Sequence, residues 1–410
     1  MKPVSNPLRL ALLAAGLCAS FTAGAQKPGK APRLQLWMDV STGGMAGMPE
    51  TAMPLGMGGL FGGRSAMGGD TGGYGAARGT NIMPPRILDI ALHNSLKPGV
   101  EAAQLIPAGM RMGESLPLVP RAEPAVAVRP DMSRDSSREK PKGKLLIYWG
   151  CGESVRSGQP RVIDMARANP SDFANVFSGQ YAADRAERVD PQAALYPNEK
   201  NRVSLSRDSS LAGEHQLQGE GIPASMKFTL GAAQDLMPAI ELETRGKIPD
   251  SLVMSWKAIP FARAYYLHAM GRAGEDTVMW SSAETGSAGM GLLDYLPNDK
   301  IQKWLKESVL LQPETTQCAI PKGIFAGDTA AARGGKEGQA LLRMMAYGGE
   351  SSFSSSSRSE PEWAVRVRVK SNITAALGAE PMAGGSAGGS QVPGVPVPNP
   401  LGLLKGLFGR

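Results

Sequence analysis

The chain has 410 residues and a formal net charge of +7, from 44 basic and 37 acidic residues. The basic residues are interspersed with acidic ones, which argues against a nucleic-acid-binding surface and against a nucleic-acid partner. The length leaves room for two ordinary domains plus tails.

The first 25 residues have the pattern of a secretory signal peptide. Lys2 and Arg9 flank a short polar start, residues 10–17 form an apolar core, and Ala23 and Ala25 are the small residues that a signal peptidase recognises. The apolar core is too short to span a bilayer, and no later apolar run is long enough. We therefore expect a mature chain that is exported to the periplasm or the outer-membrane periphery and has no transmembrane segment.

Two segments have a composition typical of disordered chain. Residues 26–85 are rich in Gly and Met, and glycine loses more conformational freedom on folding than any other residue. Residues 376–410 join a Gly/Ser-rich stretch to a Pro-rich one, which is typical of a flexible tail. We expect both segments to lack a fixed structure.

Short alternating patterns between these segments predict a mainly β protein. Residues 363–370 are the clearest case, because Trp363 and three valines share one face and basic residues share the other, as in a half-buried antiparallel strand. Residues 299–311 carry apolar side chains at helical spacing after a Pro-Asn pair. We predict two β-sandwich-like domains with helical insertions, a β-rich one over residues 86–245 with a polar insertion and a second over residues 246–375.

One segment of the second predicted domain resembles the fibronectin type III family. In that family a core Trp on one strand is followed by a Pro in the connection and by a Tyr at the start of the next strand. Trp256, Pro260, Ala262 and Tyr265 match this pattern in type and spacing, and another strand-like segment follows about ten residues later. The resemblance implies an immunoglobulin-like β-sandwich over residues 246–375, with the predicted helix as an insertion.

The chain as a whole resembles uncharacterised exported proteins of Gram-negative bacteria. This second resemblance implies a location in the cell envelope. It implies no particular activity.

Two cysteines lie beyond the leader, Cys151 and Cys318. In an oxidising compartment they favour a single disulfide, and the alternative is two buried, unpaired thiols. Cys151 also lies between two glycines after a strand-like run, where a thiolate with a nearby His would be a nucleophile. The residues leave these alternatives open.

Arg366, Arg368 and Lys370 alternate along one predicted strand and would form a basic face on its sheet. Such a face is either a site for an anionic ligand, such as a surface polysaccharide or a phospholipid headgroup, or a solvated surface that deters aggregation. Both interpretations place the three side chains in contact with solvent.

The carboxy-terminal residues contain an apolar motif formed by Leu403, Leu404, Leu407 and Phe408, and residues 54–64 are similar to it. A Leu-Phe pair on a flexible arm can insert into a groove of a partner, which makes this a candidate docking motif. The alternative is a coincidence of composition, because Gly and Leu are common here.

These patterns predict a non-catalytic exported envelope protein that acts as a binding or scaffold component. Its expected partner is another envelope protein or an anionic surface polymer. The alternative is a thiol-dependent or glycan-active hydrolase of the periplasm. The chain has three His residues and no Walker-type loop, Cys-x-x-Cys or His-Glu-x-x-His pattern, so we predict no catalytic residue, metal site or cofactor.

Overall fold

The computed structural model describes residues 32–48, 74–82, 85–121, 143–177, 179–180, 182, 189–326, 340–355 and 361–378. These residues are mainly β, which confirms the predicted fold class. The α-helices are α1 (Pro170–Phe177) and α2 (Asn298–Lys306). In chain order, the strands are β1 (Leu34–Thr42), β2 (Arg86–Asn94), β3 (Ala102–Leu105), β4 (Ser115–Pro120), β5 (Lys144–Trp149), β6 (Arg161–Asp164), β7 (Ala194–Tyr196), β8 (Gly213–Gly219), β9 (Lys227–Leu230), β10 (Leu242–Arg245), β11 (Leu252–Trp256), β12 (Ala264–Ala273), β13 (Asp276–Ser281), β14 (Gln317–Ile320), β15 (Ala340–Ser354) and β16 (Trp363–Leu377).

Thirteen of these strands form one large sheet, in the order β6-β5-β13-β12-β15-β16-β1-β2-β7-β4-β3-β8-β9. Neighbouring strands are antiparallel except that β1 is parallel to β16 and β13 is parallel to β5. A second, antiparallel sheet has the order β10-β11-β14. Because β5 comes from residues 86–245 and β13 from residues 246–375, the predicted domain boundary does not coincide with a break in the large sheet.

β1 is a central strand of the large sheet, although it lies within residues 26–85, which we predicted to lack structure. The prediction is wrong for Leu34–Thr42, because the Gly-rich composition of the surrounding segment hid a short pattern of period two. The apolar half of that pattern faces the main core and is at most 1% exposed: Leu34, Leu36, Met38 and Val40.

The predicted flexible tail, residues 376–410, lies almost entirely outside the described residues. Its first three residues are described, and β16 ends at Leu377 among them.

One face of the large sheet packs against the three-stranded sheet, and β11 meets β12 there. The ring centroids of Trp256 and Tyr265 are 5.5 Å apart in an edge-to-face arrangement, and both side chains are buried. The main-chain N–H of Ile259 donates to the Tyr265 hydroxyl, with 2.9 Å between the two atoms. The aromatic residues that carried the family resemblance therefore meet in the core from two different sheets.

α2 confirms the predicted helix but ends at Lys306, five residues earlier than we predicted. Ile301 and Trp304 form its buried side. Ser308 then adopts a φ of 54°, and the next two main-chain N–H groups donate back to the carbonyl of Trp304. This left-handed residue turns the chain out of the helix before the predicted end.

The connection between β11 and β12 contains a strained residue, Phe261. It follows Pro260 in a turn that is closed by a 3.1 Å hydrogen bond from the N–H of Ala262 to the carbonyl of Ile259. Phe261 has a φ of 63° and is 53% exposed. The second central position of a type II turn requires a positive φ, which glycine adopts without steric cost.

We therefore expect Phe261→Gly to raise the free energy of unfolding by roughly 0.5–1 kcal/mol, because relief of the left-handed strain outweighs the added chain entropy. Urea denaturation measures the change. Phe261→Ala is the control, because it keeps the Cβ atom and should give no gain. A less stable Gly variant would contradict this account of the turn.

Candidate functional site

The outer face of the neighbouring strands β16, β1 and β2 carries charged residues at buried positions. In the strand registers, Asp39 on β1 lies opposite Arg368 on β16 and opposite Asp89 on β2. All three residues are at most 4% exposed. Side chains alternate between the faces of a strand, so these residues lie on the side away from the main core. Residues 74–82, which we call the strap, cover this face.

Asp39 and Arg368 form a bidentate ion pair at the centre of the face. The Nε and Nη2 atoms of Arg368 lie 2.7 and 2.6 Å from the two carboxylate oxygens of Asp39. Nη2 of Arg78, from the strap, lies 3.7 Å from the same carboxylate. Burial alone would lower the pKa of Arg368, but the charge and hydrogen bonds of Asp39 outweigh it and raise that pKa.

Breaking this pair from one side should cost roughly 3–5 kcal/mol, because it leaves a buried carboxylate without its main partner. We expect that loss in the urea-unfolding free energy of Arg368→Met. Arg366→Met is a matched control, because Arg366 is an exposed residue on the same strand and its change should cost less than about 0.5 kcal/mol. Equal effects of the two substitutions would show that the pair does not stabilise the sheet.

Lys370 is the second buried cation of the face and is 1% exposed. Its Nζ donates to the carbonyl of Gly79 over 2.6 Å and to Oδ1 of Asp294 over 3.1 Å. The Tyr295 ring lies against both cations, with its centroid 4.1 Å from Nζ of Lys370 and 4.5 Å from Cζ of Arg368. Burial lowers the pKa of Lys370, and the nearby Asp294 carboxylate partly offsets this effect.

Asp89 binds the main chain of the strap. Its Oδ2 accepts hydrogen bonds from the N–H groups of Gly75 (3.0 Å) and Ala77 (2.8 Å). Its Oδ1 is buried and has no hydrogen-bond partner among the described residues. Burial raises the pKa of Asp89 to about 7, and the neighbouring Asp39 carboxylate adds to the increase against the opposing effect of these hydrogen bonds.

Asn372 fixes the far end of the strap. Its Oδ1 accepts from the N–H of Asn81 over 3.0 Å, and its Nδ2 donates to Oδ1 of Asn81 over 2.7 Å. The hydroxyl of Ser41 donates to the same Asn81 oxygen over 2.6 Å. β16 and β1 therefore hold this end of the strap through hydrogen bonds between uncharged groups.

The described part of this network contains equal numbers of basic and acidic side chains, so its formal charges cancel. The arrangement holds the strap through main-chain groups, and it has one carboxyl group whose pKa lies near neutrality. Its ionisable members are Asp39, Arg78, Asp89, Asp294, Arg368 and Lys370.

The basic face predicted from the sequence does not form as an open surface. Arg366 is exposed, but Arg368 and Lys370 are buried and paired with carboxylates. The expectation that these two side chains contact solvent is wrong, because residues 74–82 and Asp294, which are distant in sequence, cover them. The candidate docking residues Leu403, Leu404, Leu407 and Phe408 lie outside the described residues.

Cys151 and Cys318 form a disulfide, with a Cα–Cα distance of 5.1 Å. Cys151 follows β5 of the large sheet, and Cys318 lies on β14 of the three-stranded sheet, where it is 2% exposed. The N–H of Gly152 donates to the carbonyl of Ala319 over 3.0 Å beside the bridge. Of the alternatives open in the sequence, the structure has the disulfide, and it leaves no thiol at Cys151 to act as a nucleophile.

The three histidines lie at separate places. His93 packs against Trp37, with 4.3 Å between ring centroids. His215 is fully buried, and its ring nitrogens lie 2.9 Å from Nε2 of Gln104 and 2.8 Å from the carbonyl of Leu211. A neutral ring that donates to the carbonyl and accepts from the amide fits these contacts, and burial lowers the pKa of His215.

His268 is also fully buried, on the outer face of β12 opposite Ser281. Neither ring nitrogen makes a hydrogen bond of normal geometry within the described residues, although the main chain at Ala288 lies near enough to raise the pKa slightly. Burial and the positive charge of Arg343 outweigh this effect and lower the pKa of His268 to about 3. The ring is therefore neutral at physiological pH.

Sequence reasoning missed Asp39, Asp89 and the strap. The available signal was an acidic residue in the middle of an otherwise apolar strand, as in the Leu-Asp-Ile run of residues 88–90. A charge at such a position is seldom buried without a partner, so each Asp implied a partner on another element.

Comparisons with known proteins did not identify a family for this chain. No protein-family model, curated protein or solved structure matches the chain. In the part of the chain that the structure describes, neither α-helix is long and apolar enough to cross a lipid bilayer. The same residues include no group of three or more His, Cys, Asp or Glu side chains placed to hold a metal ion.

Proposed function

We propose that this chain is an exported, non-catalytic protein of the cell envelope that acts as a binding or scaffold component. The observation that carries the proposal is the disulfide between Cys151 and Cys318. Disulfides form and persist in oxidising compartments such as the periplasm, which agrees with the leader pattern of residues 1–25.

The strand order supports a fibronectin type III-like sandwich over residues 246–375 as part of this proposal. Counted from β10 (Leu242–Arg245), which ends just before residue 246, the first, second and fifth strands form one sheet, and the third, fourth, sixth and seventh are neighbours in the other. Immunoglobulin-like sandwiches divide their strands in nearly this way, and many cell-surface domains share that architecture. A binding role inferred from this likeness rests on analogy of fold.

The use of charge also supports a role without catalysis. A glycan-active hydrolase needs two carboxyl groups close together, and Asp39 and Asp89 meet that requirement. Such an enzyme, however, places its two carboxyl groups beside an open groove. Here both are buried under the strap and bind protein groups. The thiol-dependent alternative needs a free thiolate, and Cys151 is bonded to Cys318.

A maleimide-labelling experiment on fractionated cells tests the location and the disulfide. Protein from the envelope fraction should take up no label before reduction and two labels after it, and mass spectrometry should find that its first 25 residues have been removed. Cys318→Ser is the control, because it should leave Cys151 open to labelling without reduction. A cytosolic chain with an intact leader and three free thiols, at Cys18, Cys151 and Cys318, would overturn the proposal.

Cross-linking in intact cells tests the binding role separately. We expect a discrete adduct with an envelope component, and its loss when Leu407 and Phe408 are both changed to Ala in the candidate docking motif. Leu401→Ala is the control from the same segment. An adduct that persists in the double variant would support the scaffold role and show that the candidate docking motif does not make the contact. No adduct under any condition would contradict the binding role.

A further inference from the structure

The strap is bound by the sheet mainly through its main chain. Buried side chains of β2 and β16 contact main-chain groups at every second strap residue: the N–H of Gly75, the N–H of Ala77, the carbonyl of Gly79 and the N–H of Asn81. The side chain of Ala77 is fully buried beside Ile87 and Tyr295. These main-chain contacts of the strap are made by three side chains of the sheet, Asp89, Lys370 and Asn372.

Asp89 is the anchor whose bonding changes most with charge. Both strap N–H groups donate to Oδ2, and Oδ1 is buried without a partner in the described chain. An ionised carboxylate under the strap is therefore solvated on one oxygen only, whereas lifting the strap lets water reach both. A neutral carboxyl group loses much less when it is buried.

Charged and titratable groups from each packed element face Asp89. Asp39 from β1 lies opposite it and disfavours its ionisation, and Arg78 from the strap favours it. The strap also brings Tyr74, whose pKa burial raises to about 12, so that side chain stays neutral. Tyr295, before α2, also interacts electrostatically with Asp89, and its ring lies against Arg368 on β16, which is already paired with Asp39.

We propose that residues 74–82 form a proton-controlled strap, which a protonated Asp89 holds against β16, β1 and β2 and which loosens when Asp89 ionises. The open state gives water and solutes access to Lys370, Arg368 and Asp39, a charged surface that the closed state hides. This pH-dependent opening depends only on the contacts of the strap, and it does not require that the protein be exported.

The sign of the pH effect follows from the two states of Asp89. The open carboxyl group has its ordinary pKa near 3.8, and burial raises the pKa to about 7 when the strap is closed. The closed state thus binds one more proton between these values, so a rise in pH favours opening by about tenfold per pH unit. The total change is about 1000-fold by pH 7, and it levels off above that.

Hydrogen exchange of the full-length protein, followed by mass spectrometry from pH 4 to pH 8, measures the opening. After correction for intrinsic exchange, protection of the Gly75 and Ala77 amides should fall by up to about 1000-fold between pH 4 and 7. Asp89→Asn keeps an oxygen acceptor for both amides and cannot ionise, so its strap protection should not vary with pH. Amides of the β15–β16 hairpin serve as the internal reference and should keep their protection.

A second variant tests the docking without changing any charge. A Cβ atom added at Gly43 would lie 2.0 Å from the carbonyl oxygen of Asn81, so Gly43→Ala should displace the strap and expose its amides at every pH. Strap protection that stays constant with pH in the natural protein, or that falls equally in Asp89→Asn, would overturn the proposal. Normal strap protection in Gly43→Ala would also overturn it.

Discussion

Removal of the disulfide, by Cys151→Ala together with Cys318→Ala, should lower the free energy of unfolding by on the order of 5 kcal/mol. The two cysteines are 167 residues apart in sequence. In the chain-entropy model, a bridge that closes so long a loop restricts the unfolded chain strongly, and its removal returns that freedom. The bridge also ties the end of β5 to the three-stranded sheet, so that sheet should lose most protection.

Urea denaturation with and without a thiol reductant measures this effect. Reduced natural protein should match the double variant, and the double variant should not respond to the reductant. If the reductant destabilised the double variant as well, the loss would not come from the bridge. An unchanged urea midpoint in the double variant would contradict the predicted stabilisation.

Replacing His268 by Phe should remove a large acid-dependent loss of stability. Burial lowers the pKa of His268 from 6.5 to about 3, so the unfolded chain binds one more proton than the folded protein between these values. Stability contributed by the neutral ring is complete above pH 6.5 and is lost as the pH falls. Between pH 6.5 and pH 4 the natural protein should lose about 3 kcal/mol more than His268→Phe.

The same variant should not be less stable at neutral pH. The His268 ring nitrogens make no hydrogen bond of normal geometry in the described residues, and replacing such a buried polar group by an apolar ring of similar shape is nearly neutral or stabilising. Urea-unfolding free energies at several pH values provide the measurement.

Asp89→Asn is a control for the His268 experiment, because the buried Asp89 carboxyl group should change the pH dependence of the unfolding free energy in the opposite direction. Because burial raises the pKa of Asp89, its stabilising contribution is complete below the unfolded pKa near 3.8 and is lost as the pH rises towards 7. Parallel pH profiles for the natural protein and His268→Phe would show that this ring does not titrate as a buried group.

Local patterns predicted the elements whose partners are nearby or whose alternation is long. The Trp-Val alternation of β16 gave a strand with the correct buried face at Trp363, Val365 and Val367. The Pro-Asn start signal gave α2. The fibronectin type III resemblance implied that Trp256 is a core residue, and Trp256 is buried against Tyr265. In each case the information lay within about ten neighbouring residues, which is the range over which periodicity can be read.

The charged outer face could not be predicted in that way. Arg368 and Lys370 have the alternation of an exposed face, but their partners, Asp39, Gly79 and Asp294, come from three other parts of the chain. Whether a charge is solvated or buried depends on what covers it, and that is decided by long-range pairing. The segment that supplies the cover also has the composition of a linker.

The pairing of β1 with β16 joins the two parts of the large sheet. β2, β7, β4, β3, β8 and β9 extend from β1, and β15, β12, β13, β5 and β6 extend from β16. Asp39 and Arg368, which meet at this seam, are 329 residues apart. A polypeptide made from its amino terminus cannot close the seam until β16 is complete. A chain truncated before residue 361 would therefore leave β1 and β15 with bare edges and would be prone to self-association.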